Sequence, residues 1–266
     1  MYKVVISDLD GTLLNNQHHV STHTRKILKK MVAEGTKFVV ATGRHHIDVK
    51  AIRDALGLEI YLVTSNGAVV TDKQDQIIFN RTLPEDIAQE LSELPLPDPE
   101  IAVNIYTPDA WYTNKEMPEY LEYHRDTGFC YIKTDLTKLD KSSINKYFFI
   151  AEHEPLLELE NTLLERYQGQ LSIAFSQPDC LEVMALGINK GAAITSILEQ
   201  NNIPLDSAIA FGDGMNDYEM LSIVGHGVVM GNAHDRLKMA LPDLPRAGIN
   251  DEDGVAEYLQ RLLFSE

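Results

Sequence analysis

The stretch VVISDLDGTLL, residues 4–14, decides the fold that the sequence predicts. Its first residues are β-branched and apolar, which is typical of a strand buried on both faces. Asp8 and Asp10 follow this strand directly, and two carboxylates so close together make each other harder to ionise. We therefore expect a positive group beside them and a functional role at this strand end.

The chain alternates strands and helices in its first and last thirds. A strand over 2–7 precedes a helix over 22–34, which Ser21 can cap, and a second strand follows over 36–42. This alternation is typical of a parallel sheet with right-handed crossovers. The further elements predicted in these parts are a helix over 46–56, a strand over 59–65, a hairpin over 68–80, a helix capped by Asn189, a strand over 207–213, a helix over 215–223, a strand over 227–231 and a helix over 253–263.

The middle of the chain has a different pattern. The rhythm changes near Leu83, and the proline-rich segment 94–100 cannot be the interior of a helix. Alternating and aromatic residues after it predict a half-exposed sheet with helices on one side, in which Trp111 and Tyr112 are core residues rather than stacked on a substrate ring. The sequence thus predicts an α/β fold, with a Rossmann-like parallel-sheet core and an inserted α+β domain. The predicted core comprises 1–82 and 187–266, and the predicted insert comprises 83–186.

The composition makes several classes of partner unfavourable. A formal net charge of −17 over 266 residues makes the chain a poor candidate for binding nucleic acid or anionic membranes, which depends on clustered Lys and Arg. The two cysteines, Cys130 and Cys180, fit no metal or redox motif and are expected to be reduced thiols. The sequence shows no signal-peptide pattern and no apolar stretch of the roughly 18 residues that a membrane span needs. We therefore expect a cytoplasmic protein.

Polar residues and glycines follow four of the predicted strands. Ligands of open α/β sheets bind at these carboxyl ends, so we expect the residues to converge. An aspartate after a strand is often only a turn residue or a helix cap, but Asp8, Asp10 and Asp213 all end buried apolar strands. The candidates are Asp8 and Asp10, Thr42-Gly43-Arg44, Ser65-Asn66-Gly67, Asp213 with Asn216 and Asp217, and Lys190 in the first turn of a helix.

This set of residues suits phosphate chemistry. Clustered carboxylates with few thiols or imidazoles favour a hard cation, Mg²⁺ above all, which usually shares its coordination between carboxylates and a substrate phosphate. Backbone N–H groups, Thr42 and Lys190 are suited to hold the remaining phosphate oxygens. One carboxylate can attack phosphorus and form an aspartyl-phosphate, while the second acts as general acid and later as general base.

The sequence resembles the haloacid dehalogenase superfamily of phosphatases. The four motifs of that family are matched in order by Asp8-Leu9-Asp10-Gly11-Thr12, by Thr42, by Lys190 and by Gly212-Asp213-Gly214-Met215-Asn216-Asp217. The insert lies between the second and third motifs, as in the Cof-type subgroup, which carries a large α/β cap domain there. The resemblance covers the whole chain and implies that 83–186 is such a cap.

The resemblance implies catalytic and metal-binding roles for three aspartates. Asp8 would be the nucleophile and a ligand of the metal. Asp10 would be the general acid and base and would bind the metal through its backbone carbonyl. Asp213 would be the third protein ligand of the metal, which the resemblance implies to be Mg²⁺.

The resemblance also implies a phosphate-binding set. Thr42 and Lys190 would bind the phosphoryl group, helped by the N–H groups of Leu9 and Gly43. Asn216 would touch the phosphate. Asp217 would orient Lys190 or a metal-bound water. Further candidates for contact with the substrate are Arg44, Asn66 and Glu182.

The resulting prediction is a Mg²⁺-dependent phosphatase. It would hydrolyse phosphomonoesters of small metabolites, sugar phosphates and pyridoxal phosphate among them, through an aspartyl-phosphate intermediate. A phosphomutase is one alternative, because it would use the same intermediate and return the phosphoryl group to a sugar. A non-enzymatic phospho-receiver module is another, although receivers are much shorter, lack the insert and carry the acceptor on a later strand. The oligomeric state stays open.

Overall fold

The computed structural model describes residues 2–124 and 127–264, which form two β-sheets and the helices around them. In this part of the chain, strands β1 to β13 span, in order, Val4–Ser7, Lys37–Ala41, Tyr61–Thr64, Val69–Thr71, Ile77–Asn80, Ala102–Tyr106, Trp111–Thr113, Tyr131–Lys133, Lys146–Ile150, Leu171–Gln177, Cys180–Ala185, Ala208–Gly212 and His226–Val229. Helices α1 to α9 span Thr22–Ala33, His46–Leu56, Glu85–Ser92, Pro118–Tyr123, His153–Arg166, Lys190–Gln200, Tyr218–Ile223, Asp235–Ala240 and Gly254–Phe264.

The first sheet has seven strands in the order β13-β12-β1-β2-β3-β4-β5. Strands β13 to β3 run parallel, while β4 and β5 form an antiparallel hairpin at one edge. Strands β1 and β12 are buried along their whole length, as expected for apolar runs that are covered on both faces. Because β1 lies between β12 and β2, the carboxyl ends of these three strands are adjacent.

Six helices, α1, α2, α6, α7, α8 and α9, supply side chains to the apolar core around this sheet. At the start of α1 the N–H of Thr24 donates to Oγ of Ser21 at 2.9 Å, and at the start of α6 the N–H of Ala192 donates to Oδ1 of Asn189 at 2.7 Å. These contacts confirm the two predicted N-caps. Over residues 2–124 and 127–264, the structure contains no helix with the length and apolarity that a bilayer crossing requires.

The second sheet has six strands in the order β10-β11-β9-β6-β7-β8, and all neighbours are antiparallel except β7 and β8. Successive residues of each strand point to opposite faces. One face, which includes Ile105 and Phe149, packs against α3 and α5. The other face carries Tyr106 and Phe148 and is turned toward the carboxyl ends of the first sheet. A second sheet with helices on one side therefore covers the strand ends of the first.

The predicted α/β fold class is confirmed by these two sheets and their connectivity. Three short elements, α4, β8 and α8, were absent from the prediction, because six, three and six residues are too few to show a periodic pattern. The helix predicted over 215–223 begins at Tyr218 instead. Residues Met215–Asp217 form a tighter turn, in which a carboxylate oxygen of Asp217 accepts hydrogen bonds from the N–H groups of Asp213 and Gly214.

Candidate active site

The carboxyl ends of four neighbouring strands form one edge of the first sheet, and a cavity opens on this edge. Asp213, Asp8, Thr42 and Asn66 follow β12, β1, β2 and β3. The cavity, called the inter-sheet cavity below, has a volume of about 460 Å³. Two groups of residues are among those that line it. Those next to the strands of the first sheet are Asp8, Asp10, Thr42, Gly43, Arg44, Asp213 and Asn216, and those of the second sheet are Tyr106, Trp111, Lys146, Phe148 and Glu182.

Asp8, Lys190 and Asp217 form a buried group of ion pairs. Nζ of Lys190 donates to Oδ1 of Asp8 at 2.6 Å and to Oδ1 of Asp217 at 2.7 Å. The other oxygen of Asp217 accepts the N–H groups of Asp213 and Gly214 at 2.9 and 3.0 Å. Burial lowers the pKa of Lys190, but the charges of Asp217 and Asp8 outweigh burial and raise this pKa above its ordinary value. Lys190 therefore stays charged, and Asp217 holds it against Asp8.

Asp8 and Asp213 lie where negative charge is costly. Burial raises the pKa of Asp8 well above its ordinary value; Lys190 opposes this shift, and the neighbouring carboxylates add to it. Burial and the charge of Asp217 raise the pKa of Asp213 to about 7, although the hydroxyl of Thr12 donates to Oδ1 of Asp213 at 2.7 Å. A further positive charge at this point would favour the ionised form of both carboxyl groups.

The oxygen donors of this cluster fit a hard divalent cation. Carboxylate oxygens of Asp8, Asp213 and Asp217 lie within 4.8 Å of one another. Lys190 and two N–H groups already bind the oxygens of Asp217, so Asp8 and Asp213 are the better ligands. Gly11 keeps the space next to Asp213 open, because a Cβ atom at this position would lie 2.3 Å from Oδ2 of Asp213. Its φ of +72° is one that glycine adopts readily. Such an all-oxygen set is the kind that Mg²⁺ prefers.

Asp10 is held by Arg44 through two hydrogen bonds. Nη2 of Arg44 donates to Oδ1 of Asp10 at 2.6 Å, and Nε donates to Oδ2 at 2.8 Å. Nη1 of the same guanidinium donates to Asp48 at 3.1 Å. Asp48 also contacts the ring of His124 at 3.0 Å and accepts the hydroxyl of Thr127. The structure thus places Arg44, a candidate for substrate contact, between two carboxylates.

Of three residues in the predicted phosphate-binding set, Thr42 and Gly43 reach the cavity and Leu9 does not. Thr42 and Gly43 line it, and the hydroxyl oxygen of Thr42 accepts the N–H of Arg44 at 3.1 Å. The side chain of Leu9 is fully buried in the core of the first sheet. Contact between the N–H of Leu9 and a phosphate therefore stays a prediction.

A chain of buried polar side chains links the two sheets. Asn66 has a left-handed backbone with φ of 55°; it donates to a carboxylate oxygen of Glu182 and accepts from Asn216 at 3.1 Å. The other oxygen of Glu182 accepts from Nζ of Lys146 at 2.5 Å. Nζ of Lys146 also donates to the carbonyl oxygen of Gly43 at 2.6 Å. The sequence reasoning missed Lys146, for which the only signal was a lysine at the start of the apolar strand KYFFI.

Aromatic side chains form the wall of the cavity opposite the carboxylates. Tyr106, Trp111 and Phe148 line it, and their ring centroids lie 4.7 to 6.0 Å apart. Trp111 is also packed into the sheet, where its Nε1 donates to Oδ1 of Asn104 at 2.9 Å. Tyr112 lies on the opposite face and packs against the other core. The prediction that Trp111 and Tyr112 are core residues is therefore confirmed, and Trp111 also lines the cavity.

His45 joins the start of α2 to the second sheet. Its Nδ1 accepts the N–H of Ile47 at 3.2 Å, and its Nε2 contacts the carbonyl oxygen of Thr107 at 2.7 Å. Both contacts are satisfied only by a neutral ring that carries its proton on Nε2. Burial lowers the pKa of His45 to about 3.

His45 is expected to make the folded protein less stable as the pH falls. Below a pH of about 6.5 the unfolded chain binds a proton at this residue, whereas the folded chain stays neutral there down to a pH of about 3. The free energy of unfolding should therefore fall by up to about 1.4 kcal/mol per pH unit in this window from His45 alone. For His45→Gln, free energies of unfolding from urea denaturation at several pH values between 6.5 and 4.5 should fall with pH less steeply than for the wild type, by this amount. Parallel curves for the two proteins would contradict a neutral His45.

Known proteins resemble this chain in both sequence and fold. Residues 5–259 match the family model of haloacid dehalogenase-like hydrolases. The HMP-PP phosphatase of Yersinia pseudotuberculosis is 37% identical over 265 residues, covering 100% of this chain and 97% of that relative. A solved haloacid dehalogenase-like hydrolase from B. subtilis superposes with a TM-score of 0.87 at 28% identity, over 98% of this chain and 100% of that one. A second solved haloacid dehalogenase-like hydrolase, from Bacteroides thetaiotaomicron, superposes with a TM-score of 0.80 at 26% identity, over 99% of this chain and 100% of that one.

The match to the family extends along almost the whole chain and includes every motif on which the predicted resemblance rests. The resemblance is therefore confirmed, and with it the expectation that the chain is an enzyme. The chain belongs to the haloacid dehalogenase-like hydrolase family and is one of its phosphatases.

Proposed function

We propose that this phosphatase hydrolyses phosphomonoesters of small metabolites through an aspartyl-phosphate on Asp8, with Mg²⁺ as its cofactor. The observation that carries the proposal is the buried contact of 2.6 Å between Nζ of Lys190 and Oδ1 of Asp8, a residue that lines the inter-sheet cavity together with Asp213. A carboxylate fixed in this way is suited to attack phosphorus. Mg²⁺ held by Asp8, Asp213 and the backbone carbonyl of Asp10 would offset their charge and polarise the phosphoryl oxygens.

In the proposed reaction Asp8 is the nucleophile, and Asp10 transfers the protons in both steps. A carboxylate oxygen of Asp8 attacks phosphorus, the bond from phosphorus to the leaving oxygen breaks, and Asp10 gives a proton to that oxygen. Asp10 then takes a proton from a water molecule whose oxygen attacks phosphorus; the bond between phosphorus and Asp8 breaks, which releases inorganic phosphate and restores the carboxylate of Asp8. Both oxygens of Asp10 accept from Arg44 in this structure, which favours the ionised carboxylate, so a proton has to replace one of these bonds before Asp10 can act as the acid.

The phosphoryl group is proposed to bind between the strand ends and α6. Lys190 and the hydroxyl of Thr42 donate to its oxygens, as do the N–H groups of Leu9 and Gly43 and the amide of Asn216. Asp217 orients Lys190, which is supported by their contact of 2.7 Å. This set of donors would stabilise the negative charge that develops on the transferring group.

Residues 83–186 are proposed to act as a cap domain over a core made of 1–82 and 187–266. The support is that the second sheet supplies one wall of the inter-sheet cavity. Such a cap excludes water during transfer and contacts the leaving group. Arg44, Asn66 and Glu182 are proposed to help place the substrate, and the protein is proposed to work in the cytoplasm.

The cavity supports a small phosphorylated metabolite as the substrate. Its volume of about 460 Å³ lies in the range of small-molecule sites. Sugar phosphates and pyridoxal phosphate are proposed substrates, and HMP-PP joins them because a relative is named for it. The rings of Tyr106 and Phe148 offer an apolar surface to a substrate ring.

Metal removal is expected to abolish most of the activity. A screen of these esters should show release of inorganic phosphate in Mg²⁺, and EDTA should lower the rate at least about 100-fold because charge stabilisation by a metal contributes several kcal/mol. Excess Mg²⁺ added after the EDTA should restore the rate. Phosphate release that is equally fast in EDTA would contradict the proposed cofactor.

The same assay separates hydrolysis from transfer. Hydrolysis releases one phosphate for each ester consumed, whereas a phosphomutase would move the group to a second hydroxyl with little free phosphate. We expect the hydrolytic stoichiometry with every substrate that turns over. Formation of an isomeric sugar phosphate in its place would favour the mutase.

A further inference from the structure

We propose that Lys146 is a positioning residue that sets the hydroxyl of Thr42 for phosphate binding, acting through the peptide group between Gly43 and Arg44. The inference rests on the proposed phosphate site and adds a residue of the second sheet to it. Lys146 lies at the start of β9, and only 2% of it is exposed.

Lys146 and Thr42 bind the two ends of one peptide group. The carbonyl oxygen of Gly43 accepts from Nζ of Lys146 at 2.6 Å, and the N–H of Arg44 donates to Oγ1 of Thr42 at 3.1 Å. These two groups belong to the same planar peptide and point in opposite directions. A charged donor on the carbonyl side therefore fixes the direction of the N–H on the other side.

The direction of this N–H decides where the hydroxyl of Thr42 can donate. A hydroxyl has one hydrogen, and its oxygen here already accepts from the N–H of Arg44. The hydrogen of Thr42 is thus left for another acceptor, and Thr42 lines the inter-sheet cavity. With the peptide held in this plane, the hydroxyl is set to donate to a phosphoryl oxygen.

Glu182 fixes the position of Lys146. Its carboxylate accepts from Nζ of Lys146 at 2.5 Å and from the amide of Asn66. Lys146 and Glu182 lie on the same face of the second sheet, where they are diagonal neighbours on the paired strands β9 and β11. Glu182 also approaches the loop closely, since a Cβ atom on Gly43 would lie 3.0 Å from its Oε1.

Binding of inorganic phosphate in the presence of Mg²⁺ tests the inference without any turnover. Titration calorimetry should give an affinity for Lys146→Met about tenfold lower than for the wild type, because a charge-assisted hydrogen bond is lost. Lys141→Met is the matched control. Lys141 is also buried and also lies within residues 83–186. Its Nζ donates to the carbonyl oxygens of Leu136, Thr137 and Leu139, which are far from Gly43 in sequence and belong to the same segment as Lys141. Its affinity for phosphate should stay within about twofold of the wild type.

A double-mutant cycle shows whether Lys146 acts through Thr42. In the Thr42→Val background the hydroxyl is absent, so Lys146→Met should weaken phosphate binding by less than about twofold. A tenfold loss that persists in this background would overturn the inference, because the ammonium would then act on the phosphate directly. Equal affinity of the wild type and Lys146→Met would also overturn it. If the wild type binds no phosphate, the proposed phosphate site fails as well.

A second pair of variants covers the case in which Lys146→Met does not fold. Lys146→Met leaves the buried carboxylate of Glu182 without its cation, which is destabilising. In Glu182→Gln/Lys146→Met no carboxylate is left unpaired, and in the reference protein Glu182→Gln the ammonium of Lys146 keeps its bond to the carbonyl oxygen of Gly43. The same tenfold difference is expected between these two proteins, and equal affinities would overturn the inference.

Discussion

Asp8→Asn is expected to lower phosphatase turnover by at least about 10⁴-fold, because an amide cannot replace the carboxylate as the attacking group. The fold should persist. Asn keeps the size of the side chain, and the substitution removes one charge from a cluster whose burial already raises the pKa of Asp8. Steady-state phosphate release measures turnover, and thermal unfolding followed by circular dichroism checks the fold.

The role of Asp8 as nucleophile needs a direct readout of the intermediate. Acid quenching of the wild type during turnover of a ³²P-labelled ester should trap labelled protein that hydroxylamine releases, and Asp8→Asn should trap none. Asp235→Asn is the control, because its side chain is 89% exposed and lies outside the inter-sheet cavity. Labelled Asp8→Asn protein, or turnover within tenfold of the wild type, would show that another group attacks phosphorus.

Lys190→Met is expected to lower the free energy of unfolding by about 3–5 kcal/mol and to abolish phosphatase activity. The substitution leaves Asp8 and Asp217 buried without the ammonium that bonds both of them, and an uncompensated buried charge costs this much. Urea denaturation at pH 7.5 measures the loss. Lys26→Met, on the exposed side of α1, should change the free energy of unfolding by less than about 0.5 kcal/mol.

A partner substitution tests whether this loss comes from unpaired charge. In Lys190→Met/Asp217→Asn one of the two orphaned carboxylates is gone, so the double variant should regain more than about 1 kcal/mol of stability over Lys190→Met. Activity should stay lost, because Lys190 is also a proposed phosphate donor. A double variant less stable than Lys190→Met would show that Asp217 stabilises the fold through its bonds to the backbone N–H groups instead.

The predictable part of the site is the part that the first sheet positions. Parallel strands place their carboxyl ends along one edge, so the order β12-β1-β2-β3 brings Asp213, Asp8 and Thr42 together once the motifs are recognised. The position of Lys190 in the first turn of a helix was also predictable, since Asn189 caps that helix. These contacts depend on local sequence and on a general rule of topology.

The contacts between the two sheets could not be predicted in this way. Lys146 and Glu182 are 36 residues apart and meet because β9 pairs with β11 in one particular register. The direction of the Asn66 side chain depends on a left-handed backbone that a non-glycine residue seldom adopts. Sequence patterns give the faces of strands and not their register across a domain, so Lys146 was missed and Glu182 was predicted without its partner.

The alternation of residues along the second sheet separates the shape of the inter-sheet cavity from the packing of the core beneath the helices. Tyr106 and Phe148 face the inter-sheet cavity, while their sequence neighbours Ile105 and Phe149 fill the core beneath the helices. A substitution on the cavity face alters the shape offered to a substrate and leaves the helix-covered core intact. The folding cost of such a substitution falls on the small aromatic cluster of Tyr106, Trp111 and Phe148 and not on the helix-covered core.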